Sequence, residues 1–378
     1  MPALPSHDLQ ERLPERLARL CHRALDLESF QREAHRVLQP ALGDDGACWL
    51  TVDPATLLPT THTLGPISPE AKQRELTYEY TQPDVNQIPD LLRGRIAAGL
   101  DEATDGQPGK SPTYRDVLEP EEIGDELRGV LVIGTSCWGG VAFFRRRGRP
   151  SFDPLHAEVL RTASPLLAEG VRRALVLGGR AATGHTEPGL VLLDAHDGIE
   201  TMNGPARTFL TQLRFVGSDP PELVHSLAHR TRLATTDANR GLARLRAPTA
   251  TGAWLTLHGS VLEGPDGDDP GRVAIVIEPA RGADLLQLAF EAYGLTARER
   301  DVATLVARRL STPQIGRQLF LSPWTVKDHL KAIFEKVGVS SQAQLVAAIH
   351  LRWAANVGPQ GHHGGSRPAA VASRQGTS

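Results

Sequence analysis

The stretch 295–349, LTARERDVATLVARRLSTPQIGRQLFLSPWTVKDHLKAIFEKVGVSSQAQLVAAI, decides how this chain is read. Four helix starts punctuate it. Thr296 with Glu299, Ser311 with Gln314 and Ser341 with Gln344 have the spacing of a capping box, in which two side chains reciprocally satisfy backbone amides left open at a helix start. At the fourth start, Ser322 can accept from the free amides, and Pro323 loses nothing there by lacking one. Behind the caps, apolar residues recur on one face: Val302, Leu305 and Val306; Ile315 and Leu319; Val326, Leu330, Ile333 and Val337; Leu345, Val346 and Ile349. The spacing predicts four short helices around one small core. The Phe320-Leu321 link is too short for the second and third helices to lie antiparallel, so they should cross steeply.

Once Val326, Leu330, Ile333 and Val337 face the core, Trp324, Lys327, Asp328, Lys331 and Glu335 turn outward along successive turns. Lys327 and Lys331 can donate to guanine O6 and N7 or to phosphate, and Asp328 can accept from a cytosine amino group. Amides near Ser322 and Thr325 open toward phosphate. The succession Leu295-Thr296, Arg298-Glu299, Ser322-Pro323, Thr325-Val326-Lys327, His329-Leu330-Lys331, Ile333, Lys336 and Gly338-Val339 resembles the LuxR/FixJ-type helix-turn-helix. That resemblance implies a third helix in the major groove, with Lys327, Asp328 and Lys331 reading bases. Ser322, Trp324, Thr325, His329, Arg317 and Lys336 are assigned to phosphate contact or positioning. It also implies a fourth helix that supplies a homodimer surface, promoter DNA as partner, and RNA polymerase as a further one. Three positions depart from the family pattern: Arg309 stands where Gly is usual, and Gln314 and Gly316 replace Glu and Ala.

Charge separates this module from the rest. The chain carries −3 overall. Residues 295–352 hold nine Lys/Arg against four Asp/Glu, whereas residues 1–294 hold 30 against 40. A basic module behind an acidic bulk points to a polyanionic partner for that module alone. The same contrast suggests that the acidic region competes with DNA and holds the module closed until a signal arrives.

Length and composition place the remainder. A chain of 378 residues exceeds one hydrophobic core and implies two or three domains. Residues 8–40 read as helical. Ala47–Val52 and Leu57–Leu64 read as a β-hairpin, and Glu70–Tyr80 and Asp90–Leu100 as helices. Asp101–Ser111 is a loop, in which Gly106–Ser111 lacks the glycine spacing of a phosphate loop. Arg128–Thr135 and Trp138–Phe144 follow as strands, Arg145–Arg147 as a solvated hairpin end, and Pro154–Leu177 as a long helix. This α+β plan over 8–178 resembles a GAF domain. Gly178–Pro188 has linker composition. Residues 186–279 open with Gly189–Asp194, Gly198–Asn203 and a helix Pro205–Leu213, and close with strands Ala253–Leu262 and Arg272–Glu278 around a turn at 264–270. They resemble a PAS domain. A linker helix at 283–293, the helix-turn-helix at 294–352 and a disordered tail at 355–378 complete the division.

The exclusions are also chemical. Cys21, Cys48 and Cys137 are too few and too scattered for a disulfide framework. His225 and His229 have an i, i+4 spacing but no third ligand, so no metal is expected. No Ser/His/Asp or Cys/His grouping assembles, so neither an enzyme nor a resident cofactor is expected. The early acidic pair, strand-end Asp and later Lys of a phosphorylated receiver do not fall into place. No run approaches the roughly 18 apolar residues of a membrane span, and a cytoplasmic location is expected. The sequence thus points to a multidomain DNA-binding regulator gated by an unknown small-molecule or protein signal. The alternative is a signalling protein whose helical module binds protein.

Overall fold

A computed structural model of the chain describes residues 7–23, 25–177, 187–213, 222–236, 243–263, 271–280 and 282–353. The linker at 178–186, the turn at 264–270 and the tail at 355–378 lie outside the described residues. The helical text of 8–40 forms two helices, α1 (His7–Cys21) and α2 (Leu27–Leu42), rather than one. The break has a local cause: Asp26 takes an extended backbone and accepts from the Ser29 amide at 2.9 Å, starting a new helix.

The first sheet comprises β1 (Gly46–Val52), β2 (Pro59–His62), β3 (Ala97–Gly99), β4 (Ile123–Ile133) and β5 (Ser136–Arg146), paired antiparallel in the order β2-β1-β5-β4-β3. Between β2 and β4 run α3 (Pro69–Thr81), α4 (Ile88–Arg93) and the single turn α5 (Leu100–Ala103). The expected helix Asp90–Leu100 is therefore broken by a strand. Ala97 pairs with Gly129 and Gly99 with Leu127, so the open edge of β4 overrides the helix propensity of the alanines. After β5, α6 (Pro154–Leu177) returns across the sheet and packs with α1 and α2, burying Leu17, Phe30, Leu38, Leu160 and Leu167 on Leu127, Leu131, Val141 and Phe143. Arg145 belongs to this core rather than to a solvated hairpin end. It is buried and donates to the carbonyls of Leu42, Pro150 and Ser151, while its guanidinium stacks 4.1 Å from the Phe152 ring centre.

The second sheet repeats the same winding. Strands β6 (Gly189–Leu193), β7 (Ile199–Met202), β8 (Arg244–Pro248), β9 (Trp254–Val261) and β10 (Val273–Pro279) pair in the order β7-β6-β10-β9-β8. Helices α7 (Gly204–Gln212) and α8 (Glu222–Thr236) cover Val191, Leu193, Leu245, Leu255, Leu257 and Ile275. Sequence reading missed β8, although Leu245 and Ala247 alternate inward with period two. The two sheets interlock. Leu58 and Tyr80 of the first unit join the second core, and α3 lies against α8, with Thr77 Oγ1 donating to Glu222 at 3.3 Å.

The last five helices are α9 (Gly282–Ala292), α10 (Ala297–Ala307), α11 (Thr312–Leu319), α12 (Pro323–Val337) and α13 (Gln342–Trp353). Helix α9 has two apolar faces. Leu285, Leu288, Ala289 and Ala292 enter the core beneath α6, while Leu286, Phe290 and Tyr293 pack into the core of the following four helices.

Two consequences are measurable. A Cβ at Gly170 of α6 would lie 1.9 Å from the buried Phe30 ring, so Gly170→Ala should destabilise the fold by about 1–3 kcal/mol in denaturant unfolding. Burial between α3 and α8 pushes the Glu222 carboxyl up to about 8. A folded-state value above the unfolded one means the folded chain holds an extra proton. Stability associated with this group is therefore full below about pH 4 and is lost as pH rises toward 8. Glu222→Gln should flatten that decline in unfolding titrations from pH 5 to 9.

Candidate nucleic-acid interface

The interface is assembled from caps. Thr296 donates its amide to Glu299 Oε2 at 2.7 Å, and Thr296 Oγ1 accepts the Glu299 amide at 3.4 Å, closing the expected box on α10. At α11 the Gln314 carbonyl oxygen accepts both the amide and the hydroxyl of Ser311 at 2.8 Å. Ser322 Oγ accepts the Thr325 amide at 3.0 Å, and its hydroxyl also meets Thr325 Oγ1 at 2.8 Å, which commits that pair to starting α12. At α13 the expected reciprocity shifts by one residue. Ser341 Oγ accepts the Gln344 amide, but Gln344 reaches back to Ser340 rather than Ser341. Gly338 ends α12 in left-handed backbone at φ 75°, where only glycine is free of strain, and donates to Phe334 O.

Val302, Ala303, Leu305, Val306, Ile315, Val326, Leu330, Ile333 and Leu345 are buried together, with Leu319, Val337 and Val346 packed at the rim. That fixes the rotation of α12. Lys327, Asp328, Lys331 and Glu335 are exposed, Trp324 is 74% exposed, and Thr325 and His329 are half-buried. Arg317 on α11 is exposed as well. Among the described residues Lys327, Asp328 and Lys331 make no ion pair, so their charge is available to a partner. Among the described residues the acidic two-sheet region leaves these groups exposed, which differs from the closed arrangement that the charge contrast suggests. Lys336 behaves differently. Its ammonium is 2.6 Å from Glu299 Oε2 and 3.3 Å from Gly294 O, tying α12 to the start of α10. Burial alone would raise the Glu299 carboxyl, but hydrogen bonds from Lys336 and Thr296 outweigh it and hold the group below its ordinary range.

One surface residue escaped the sequence reading. Phe320, read only as part of a link, is 95% exposed and stands in left-handed backbone at φ 55°. Phe320 and Trp324 are the two large aromatics exposed at the entry to α12, side chains of a kind that stack on sugars and bases. Arg309 occupies the other strained position, at φ 63°. Gly316 has a steric reason: a Cβ there would lie 2.7 Å from Leu321 O, so glycine lets the turn into α12 close.

A second candidate site lies on the opposite face of the first sheet from α6. A small cavity of about 40 Å³ is lined by Cys48, Leu50, Ile88 and Gly140 and walled by buried charge. Lys72 pairs with Glu75 at 2.9 Å, and Arg128 pairs with Glu75, Glu79 and Glu126 at 2.9, 2.8 and 2.8 Å. Burial pushes the Glu126 carboxyl up to about 7 against the pull of Arg128. Among the described residues no group of three or more His, Cys, Asp or Glu is arranged to hold a metal, and no helix is long and apolar enough to cross a membrane.

Comparison with known proteins bears on the helical module first. The family described as "Bacterial regulatory proteins, luxR family" matches residues 294–349. The probable transcriptional regulatory protein NarL of Mycobacterium tuberculosis (strain ATCC 25618 / H37Rv) is 31% identical over 204 residues, which cover 48% of this chain and 88% of NarL. The chain belongs to the LuxR family of bacterial regulatory proteins. The spore germination protein GerE of Bacillus subtilis (strain 168) is 36% identical to this LuxR-family chain over 55 residues, 15% of the chain and 74% of GerE. The putative HTH-type transcriptional regulator Mb0914c of Mycobacterium bovis is 48% identical over 52 residues, 14% of the chain but only 6% of that relative's length. The similarity to Mb0914c and GerE is thus confined to the length of the α10–α13 module.

The strain at Arg309 predicts a stabilising change within this LuxR-type module. Arg309→Gly should remove the left-handed penalty that any Cβ carries there, net of glycine's greater freedom when unfolded, and raise stability by roughly 0.5–1 kcal/mol. Thermal unfolding compared with Arg308→Gly, at ordinary backbone, checks the sign.

Proposed function

We propose that this LuxR-family protein is a sequence-specific DNA-binding transcriptional regulator whose two-sheet region senses a signal and gates the helical module. The observation that carries the reading is α12: a buried row of Val326, Leu330 and Ile333 holds Lys327, Asp328 and Lys331 in solvent with their charges unspent. Inserted in a major groove, those three side chains read base edges. Ser322, Thr325, His329, Trp324 and Arg317 flank the backbone, and Lys336 acts as a positioning residue through Glu299. The module works on promoter DNA as a homodimer in the cytoplasm, with RNA polymerase as a further partner. The regulatory names of the relatives support a regulator rather than an enzyme.

The sensing role rests on the two sheets. Both wind second-first-fifth-fourth-third with helices on their faces, which supports a GAF-like unit over 8–178 and a PAS-like unit over 186–279. The buried charges that wall the small cavity of the first unit support a polar signal acting there.

Selection from random duplexes should return a defined sequence for the full chain. Lys331→Ala should then cost about 1–3 kcal/mol and relax preference at one base position if Lys331 reads guanine. If it holds phosphate instead, all sequences should weaken alike and the salt dependence should fall by about one unit of slope. Unchanged affinity and preference would remove α12 as the reading element and favour a protein-binding module.

A further inference from the structure

One buried arginine joins every part of the described chain. Arg246, on edge strand β8 of the second sheet, is 3% exposed. Its backbone amide donates to Asp53 Oδ2 at 2.8 Å, and its guanidinium meets Asp53 Oδ2 at 3.1 Å and Oδ1 at 2.5 Å. The same Nη2 donates to Glu291 Oε2 at 2.7 Å, and Nη1 lies 3.4 Å from Asp284 O. Asp53 directly follows β1 of the first sheet and is 1% exposed; Glu291 lies in the last turn of α9 and is 3% exposed. Three structural units therefore share one guanidinium in a place from which water is excluded.

The position of this joint gives it consequences. Leu50, three residues before Asp53 on the same chain segment, lines the cavity of the first unit. Glu291 is flanked by Phe290 and Tyr293, which enter the core of the DNA-binding module, and by Ala289 and Ala292, which enter the core beneath α6. Further contacts fasten α9 at both ends. Asp284 is engaged by Arg244 and by Thr256 Oγ1, and the Ala292 carbonyl by Arg172. Gly294 then bends the chain at φ 63° into α10. A fork that serves two carboxylates at fixed angles transmits orientation, because neither acid can shift without breaking a bond that no water replaces. Burial works against the charge on Arg246, and hydrogen bonds and charge from the two carboxylates outweigh it, whereas burial still pushes the Glu291 carboxyl above its ordinary range; removing one partner leaves the others buried and uncompensated.

We propose that Arg246 is the positioning residue that aims the DNA-binding module, its guanidinium linking Asp53 at the end of the cavity-lining strand to Glu291 on the helix that enters the module. A shift of β1 or β8 then re-aims α9, and the recognition helix with it. What the aiming is for rests on the regulator reading above; the aiming itself does not.

Spin labels placed at the exposed positions Arg207 on α7 and Glu335 on α12, through Arg207→Cys and Glu335→Cys in the full chain, report the distance between sheet and module without DNA. The unmodified joint should give one narrow distance distribution. Glu291→Gln should broaden it and raise amide exchange in α9 about tenfold while β1 and β8 stay protected. Arg246→Lys, which keeps charge and loses the fork, should fall between. The triple replacement Asp53→Leu, Arg246→Met, Glu291→Leu fills the same space without ions, so the sheets should remain folded with the distribution broad. A narrow, unshifted distribution and unchanged α9 exchange in the triple variant would overturn the proposal, as would loss of protection throughout both sheets in all three variants, which would make the joint a sheet-to-sheet support. Since the labels are read without DNA, these outcomes are separate from failure of the Lys331 test.

Discussion

Everything C-terminal of the sheets hangs on α9, an eleven-residue helix that must satisfy two cores at once. Residues 285, 288, 289 and 292 recur at the spacing of one helical face, and 286, 290 and 293 at that of another. A helix apolar around so much of its circumference is stable only when buried on both sides. The four helices that follow gain from this, because a module of their size encloses little apolar volume alone. Phe290, 1% exposed, is the side chain of α9 most fully buried in that core. The geometry of the module and its attachment are thus consequences of the same burial.

Within the module the apolar row of α12 sets the chemistry. Val326, Leu330 and Ile333 leave one rotation of the helix open, and that rotation delivers two ammonium groups and a carboxylate to solvent. Lys336 shows how the same helix divides its cations. One turn farther on, the ammonium meets Glu299, which already caps α10, and becomes part of the scaffold. Opposite demands meet in the turns. Phe320 and Arg309 hold left-handed backbone with full side chains, a cost of about 1–2 kcal/mol each, at the two links that set the angle of α11. Such strain persists where the surrounding packing fixes the chain path, and Gly316 relieves the tightest approach with Leu321 O.

Legibility followed the range of the interactions involved. The caps and apolar faces of α10 to α12 act over three or four residues, so Thr296 with Glu299 and the row Val326, Leu330 and Ile333 could be read directly. The hairpin β4–β5 and the helix α6 were legible from long apolar runs. What stayed hidden depends on partners distant in the chain. Ala97–Gly99 is a strand because β4 offers an edge to it. Arg145 is buried because the carbonyls of Leu42, Pro150 and Ser151 converge on it. Arg246 lies in a strand missed from sequence, and its role is visible only when Asp53, 193 residues earlier, is brought beside it. Phe320 was hidden for the converse reason: an apolar side chain in a link gives no sign of exposure, and only the turn geometry shows it outside.

The buried charges divide into two kinds, and the difference says where movement can enter. Around the first-unit cavity Lys72 and Arg128 face Glu75, Glu79 and Glu126, all supplied by α3 and β4 within one unit. At the joint, Asp53, Arg246 and Glu291 come one each from three units. Apolar residues of similar volume often serve stability as well as a buried ion cluster does, and removing a single member costs about 3–5 kcal/mol. Apolar packing tolerates small slides, whereas a shared guanidinium fork does not. A set confined to one unit can rearrange around a bound molecule without disturbing its neighbours. A set divided among three cannot, so a displacement that begins at the cavity and reaches Asp53 has to be taken up by β8, by α9 or by both.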